Sequence, residues 1–126
     1  MAITAPDITP EAKHYWDSLS AGQLLLQECK DCGKRYYYAR PFCPSCMSRK
    51  VEWLPVSGNG TIYSFSLVRS KGAVASAPVF VTLDEGVTML SALVDCDYDK
   101  LAIGAKVKLK LVPSEGGPPI PFFTPA

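Results

Sequence analysis

Two C-x-x-C pairs, Cys29-Lys30-Asp31-Cys32 and Cys43-Pro44-Ser45-Cys46, with ten residues between them, constrain this chain more than any other feature. Each pair closes a tight turn whose sulfurs converge on one point. Two such turns facing each other complete a tetrahedron around an ion, with bonds of about 2.3 Å. Gly33 lets the first turn close, and backbone N–H groups at such turns donate to the thiolates and reduce their charge. Four thiolates leave no coordination position for water or substrate, so Cys29, Cys32, Cys43 and Cys46 read as ligands of structural zinc. Iron takes the same donor set. A redox dithiol needs only one C-x-x-C, at a helix start in a βαβ setting that is missing here. The fifth cysteine, Cys96, stands alone between Asp95 and Asp97, whose charges disfavour a thiolate. This is not the pattern of a secreted disulfide framework.

The 126 residues suit one compact domain or one domain with a small appendage. A hydrophobic content of 48% and a mean hydropathy of +0.09 supply a core, and 20% charged residues place the chain among globular proteins. The net charge of +1 gives no field to draw the molecule to nucleic acid or an anionic membrane. Apolar runs such as Leu24-Leu25-Leu26 fall far short of the roughly 20 residues of a membrane-spanning helix. Residues 1–10 lack the basic start and apolar middle of a signal peptide, so a cytoplasmic protein is expected.

Three segments are expected. Residues 1–23 hold a short helix from Pro10 to about Gly22, with Thr9 as N-cap and Pro10 at the first helical position. Ala12, Tyr15, Trp16 and Leu19 recur at three- and four-residue spacing and form one aromatic-rich stripe that something must cover. Residues 24–50 carry the cysteine pairs in a small metal-held hairpin module. Residues 51–126 hold β-rich runs at 51–56, 61–68, 79–84, 87–93 and 106–112, separated by turn signals.

In the last run Val107, Leu109 and Leu111 face one way and Lys106, Lys108 and Lys110 the other. In 61–68 the alternation points Tyr63, Phe65 and Leu67 inward. Five short strands without intervening helices close most economically into a small, partly open barrel. The proline-rich tail from Ser114 onward reads as irregular, anchored by Phe122 and Phe123. The fold class expected is mainly β, with an N-terminal helix, a small metal ribbon and a C-terminal five-stranded barrel.

No catalytic constellation emerges. His14 is the single histidine, has no serine or cysteine nucleophile motif with it, and reads as a surface or interface residue. Asp95, Asp97 and Asp99 lack the glycine and terminal glutamate of a calcium loop and read as a solvated turn. Arg35, Arg40, Arg49, Lys50, Arg69 and Lys71 read as surface charge. Facing a phosphate-bearing ligand, or single-stranded nucleic acid beside the tyrosines, is their alternative use. The missing positive excess counts against nucleic acid.

The chain resembles the family of domain of unknown function 35, small proteins with a rubredoxin-like zinc ribbon followed by an OB-fold. The resemblance covers nearly the whole chain. It is carried by His14-Tyr15-Trp16, the run Leu24 to Cys29, the cysteine pairs, Arg40-Pro41, Glu52-Trp53, the run Ser57 to Phe65, Leu83-Asp84-Glu85-Gly86 and Leu93-Val94-Asp95-Cys96-Asp97. It implies a non-catalytic accessory subunit for a thiolase-fold enzyme, a thiolase, acyltransferase or aldolase. Such a subunit docks on the enzyme dimer, stabilises it and helps shape an acyl-CoA path, with acyl-CoA shared with the partner. The ribbon and the helix are then the docking surfaces, with His14, Tyr15 and Trp16 facing the partner. Residues 70–78, rich in small side chains, depart from the family pattern and adapt to a particular partner. An autonomous single-stranded nucleic-acid-binding module is the alternative, and a free-standing acyl-CoA-binding protein a weaker one.

Overall fold

The structure, a computed structural model, describes residues 5–126 and divides into two compact units. The first contains the residues up to Ser57 together with Val112–Ile120, and the second contains Gly58–Leu111 with Pro121–Ala126.

In the first unit, extended Thr9 leads into a 3-10 turn, Pro10–Ala12, and then helix α1, Lys13–Ser20. Proline is cheap at this first position because its missing N–H would have had no partner there. Thr9 caps by position only, since its side chain makes no cap hydrogen bond. At the other end the Gly22 N–H donates to the Leu19 carbonyl at 2.9 Å and the Gln23 N–H to the Ser18 carbonyl at 2.8 Å. This pair of bonds is a Schellman stop.

The helix stripe is covered from within the chain. Tyr15 is 0% and Trp16 8% exposed. The Tyr15 ring packs 5.0 Å from that of Tyr38 and 5.8 Å from that of Tyr37. Trp16 Nε1 donates to the Tyr38 hydroxyl at 2.6 Å, and the hydroxyls of Tyr15 and Tyr37 lie 3.1 Å apart. Tyr15 and Trp16 thus spend most of their surface inside the unit, and of the three residues expected to face a partner His14 is the exposed one. The tyrosines that follow the first cysteine pair supply both the apolar cover and the polar partners that buried Trp and Tyr need.

Strands β1, Leu25–Cys29, β2, Arg35–Tyr36, and β3, Val51–Pro55, form an antiparallel sheet in the order β2-β1-β3. Leu26 lies opposite Leu54, and Cys29 opposite Val51. Residues 51–55 thus do not open the barrel as expected. They flank β1, whose near-complete burial calls for a neighbour on each side.

The second unit is built on a five-stranded sheet of order β10-β9-β4-β7-β8, formed by β4, Asn59–Phe65, β7, Pro78–Leu83, β8, Thr88–Ala92, β9, Lys106–Ser114, and β10, Gly117–Pro125, with the end of β9 and the start of β10 counted in the first unit. Between β4 and β7 a separate two-stranded hairpin is formed by β5, Val68–Ser70, and β6, Ala73–Ser76. A parallel bridge between Leu93 and Phe123 brings the two ends of the larger sheet toward each other, as in a curled OB-fold-like half-barrel. Ile62, Val79, Val81, Leu83, Met89, Leu93, Val107 and Phe123 fill its interior. At about 1.5–3 kcal/mol for each large apolar side chain, this burial is the main stabilising term. Gly60 allows the close packing: a Cβ there would lie 2.6 Å from Val81 Cγ1 and 2.8 Å from the Thr82 carbonyl oxygen.

Two further expectations change. The tail forms β10 at an end position of the sheet, where a strand with a single neighbour tolerates prolines that lack N–H donors. Tyr63 points outward and is 66% exposed. The register of β4 on β7 shifts between Ile62 and Ser64, so the bulge expels Tyr63 and reverses the phase. Ile62 is inward before it, and Phe65 lies opposite buried Val79 after it. The alternation in β9 is as expected at Val107, which is buried, with Lys106, Lys108 and Lys110 exposed. Among the described residues no helix is long and apolar enough to cross a membrane.

Candidate metal centre

Both cysteine pairs are built on the same backbone pattern. The Cys29 N–H donates to the Lys34 carbonyl and the Gly33 N–H to the Cys29 carbonyl, each at 2.9 Å. The Cys43 N–H donates to the Ser48 carbonyl at 2.8 Å and the Met47 N–H to the Cys43 carbonyl at 3.0 Å. Met47 therefore occupies the place that Gly33 holds in the first turn, and both are left-handed, with φ of 66° and 76°. The first turn grows from the end of β1, and the strand pairing of Cys29 with Val51 fixes it against the start of β3.

The four sulfurs lie within 4.8 Å of one another. Cys29 Sγ is 3.5 Å from Cys46 Sγ, and Cys32 Sγ is 3.6 Å from Cys43 Sγ. A tetrahedron with metal–sulfur bonds of about 2.3 Å has edges of about 3.8 Å, close to the two shorter sulfur separations. The donor set and its dimensions are compatible with a structural Zn²⁺ site. Cys29 and Cys43 are buried, whereas Cys32 and Cys46 are exposed.

The surrounding amides favour thiolates. The Cys46 amide and then the Ser45 amide stabilise the Cys43 sulfur and bring its thiol down to about 7, against the cost of burial. The Ser45 N–H is 3.4 Å from that sulfur. Cys29 is likewise lowered, chiefly by the Cys32 amide, whose N–H lies 3.5 Å from Cys29 Sγ.

Polar side chains join the turns, a support the sequence did not signal because its members are far apart in the chain. The Ser48 hydroxyl donates to Asp31, and the Lys50 N–H donates to the Ser48 hydroxyl oxygen at 3.0 Å. On β1, Glu28 accepts from Arg35 Nε at 2.8 Å and Lys30 Nζ at 2.9 Å. Arg35, followed by Lys30, holds the Glu28 carboxyl below its usual range. The Oε1 of the buried Gln27 side chain accepts from the Arg40 N–H at 2.7 Å and so pins the linker between the turns.

The remaining singled-out residues do not assemble a second centre. His14 is exposed, with its ring 5.3 Å from that of Trp53. The Cys96 thiol is pushed up by burial and then by Asp95 and Asp97, which opposes a nucleophilic role. Asp95 pairs with Lys110, and Asp97 accepts from the Asp99 N–H at 3.1 Å. Among the described residues the cysteine group is the one cluster of three or more metal-ligating side chains.

A four-sulfur ribbon in one unit and a curled five-stranded sheet in the other define a protein of the zinc-ribbon and OB-fold class. Residues 16–52 match the family model described as ChsH2, rubredoxin-like zinc ribbon domain, and residues 53–112 match that of the ChsH2 C-terminal OB-fold domain. A DUF35 domain-containing scaffold protein of Methanothermobacter thermautotrophicus is 34% identical over 92 residues, which cover 68% of this chain and 69% of the relative. The chain belongs to the DUF35 family. A probable enoyl-CoA hydratase alpha subunit of Thermomonospora curvata is 26% identical over 125 residues, 96% of this chain but 39% of that protein. Among solved structures, a chain of the Ltp2-ChsH2(DUF35) aldolase shares the fold with a TM-score of 0.81 at 24% identity, covering 95% of this chain and 98% of that one.

Proposed function

We propose that this chain is a non-catalytic accessory subunit that docks on an enzyme acting on acyl-CoA, stabilises it and helps shape the acyl-CoA path. The supporting observation is the span of relatedness: 96% of this chain matches 39% of an enoyl-CoA hydratase alpha subunit. The ribbon and sheet in that longer relative accompany further sequence. Scaffold is also the word attached to the archaeal relative. A thiolase-fold subunit is the specific partner that the family resemblance implies, with acyl-CoA shared between the two in the cytoplasm. Within this reading, Cys29, Cys32, Cys43 and Cys46 hold one Zn²⁺, which supplies no chemistry to a substrate and fixes the ribbon that a partner meets. His14, exposed on α1, remains available to such a contact.

Tagged chain, isolated from its native host, is expected to carry one zinc per molecule and to bring with it a thiolase-, hydratase- or aldolase-type subunit. Acyl-CoA turnover should appear with that subunit alone or with the pair. A monomer without partner across several growth conditions, or turnover by the isolated chain, overturns the reading.

A further inference from the structure

The outward face of the second unit carries an apolar row that its own core does not need. Tyr63, Phe80 and Leu90 are 66%, 45% and 58% exposed. Phe80 and Leu90 are directly paired across β7 and β8, and Ser64, next to the expelled Tyr63, pairs with Phe80. Single exposed apolar residues need no explanation, but a contiguous row marks a contact surface. A cavity of about 150 Å³ opens into this row, lined by Phe65, Pro78, Val79, Phe80 and Leu90 with Ser64 and Ser66. Its volume selects the occupant. Sites for cofactors and drug-sized ligands run from roughly 300 to 1,000 Å³. An apolar void of about 150 Å³ holds a benzene-sized group, which is one leucine or phenylalanine side chain.

The hairpin of β5 and β6 rises at the rim of this cavity, its root closed by the Ser66 N–H donating to the Pro78 carbonyl at 3.0 Å. It joins no other sheet, and a two-stranded ribbon is marginal in water by itself. Its turn is Lys71-Gly72, both left-handed, with φ of 52° and 81°. Glycine takes that conformation freely, whereas lysine is disfavoured there and asparagine or aspartate preferred. The side chains of the strained Lys71 and nearby Arg69 are exposed and form no ion pair or hydrogen bond among the described residues. By strand rise, Lys71 lies about 10 Å beyond Val68. An uncharged socket with two free cations at the end of an arm complements an apolar anchor that has a carboxylate near it. A nucleic-acid strand would instead require cations along the apolar row itself. OB-folds place ligands on the face of their second and third strands and on the loop between the first and second. In the five-stranded sheet, β7, β8 and the hairpin hold those places.

We propose that this face docks the partner enzyme: the cavity takes one apolar side chain of that subunit, and Arg69 and Lys71 meet an acidic group beside it. The inference rests on the accessory role proposed above and adds where and by what chemistry the partner is held. The test uses the full chain in complex with the enzyme subunit recovered by tagging. A photo-crosslinking phenylalanine analogue replaces Leu90 in one preparation and exposed Met47 of the ribbon in another. The Leu90 position is expected to give an adduct with the enzyme subunit, at a peptide with an apolar residue near Asp or Glu. Leu90→Asp should weaken binding about tenfold or more. The double variant Arg69→Glu/Lys71→Glu should weaken it and flatten its salt dependence. Lys71→Asn suits the turn better, so a loss of affinity with an unchanged or raised Tm separates charge from folding. An adduct from Met47 alone, an adduct with a second copy or with nucleic acid, or unchanged affinity in these variants overturns the proposal. If the enzyme is recovered but Leu90 gives no adduct, this surface falls and the accessory role stands. If tagging recovers no enzyme, both fall.

Discussion

The two units assemble small cores by opposite means. The first buries an aromatic helix face against tyrosines and closes around four sulfurs, so much of its order depends on specific polar partners. The second buries aliphatic side chains inside a hydrogen-bonded sheet and needs no cross-link. The contrast teaches where each is vulnerable. A cage of ligands fails as a whole when one is lost, whereas an aliphatic core loses stability in proportion to the atoms removed.

The largest effect is expected at the sulfurs. Cys43→Ser, or exhaustive chelation, should unfold the first unit, because binding of a structural zinc is itself folding free energy. Hydrogen exchange would then show lost protection in Leu25–Cys29 while amides around Val81 and Val107 stay protected. Simultaneous loss in both regions would break the contrast. Trp16→Ala comes next, at about 3–5 kcal/mol for the loss of a buried aromatic. Trp16→Phe should cost less and leave the Tyr38 hydroxyl without its donor, at about 1 kcal/mol. Denaturant melts of the two variants provide the check. The smallest effect belongs to Glu28, half-buried and paired with Arg35 and Lys30. Its folded pKa lies below the usual 4.5, so its contribution is present above that value and lost as pH falls through the folded one. Glu28→Gln should lower Tm slightly at pH 7, with the gap to the parent closing toward pH 3. A constant gap would show that shape, not charge, matters at this position.

Legibility in the sequence followed the range of the interactions. The ribbon was readable because each ligand pair lies within four residues, and α1 because its proline, glycine and stripe are local signals. The alternation of Val107 with its lysines survived for the same reason. What escaped was decided by distant partners. The β3 strand goes to β1 because β1 is buried on both sides. The proline-rich tail becomes β10 because it sits at an end of the sheet, and Tyr63 stays outward because pairing with β7 turns Ile62 inward and a bulge then brings Phe65 opposite Val79. The cover over Tyr15 and Trp16 comes from tyrosines 22 residues away, which no periodicity announces.

The sulfur cage is lopsided: the first cysteine of each pair is inside and the second is in contact with solvent. The flank of Cys32 and Cys46 is therefore the side on which a bound ion would lie nearest to water. Cys32 and Cys46 are the two ligands that a competing chelator would meet from solvent, with Cys29 and Cys43 shielded behind them. The rate of exchange would depend on whatever shields that flank.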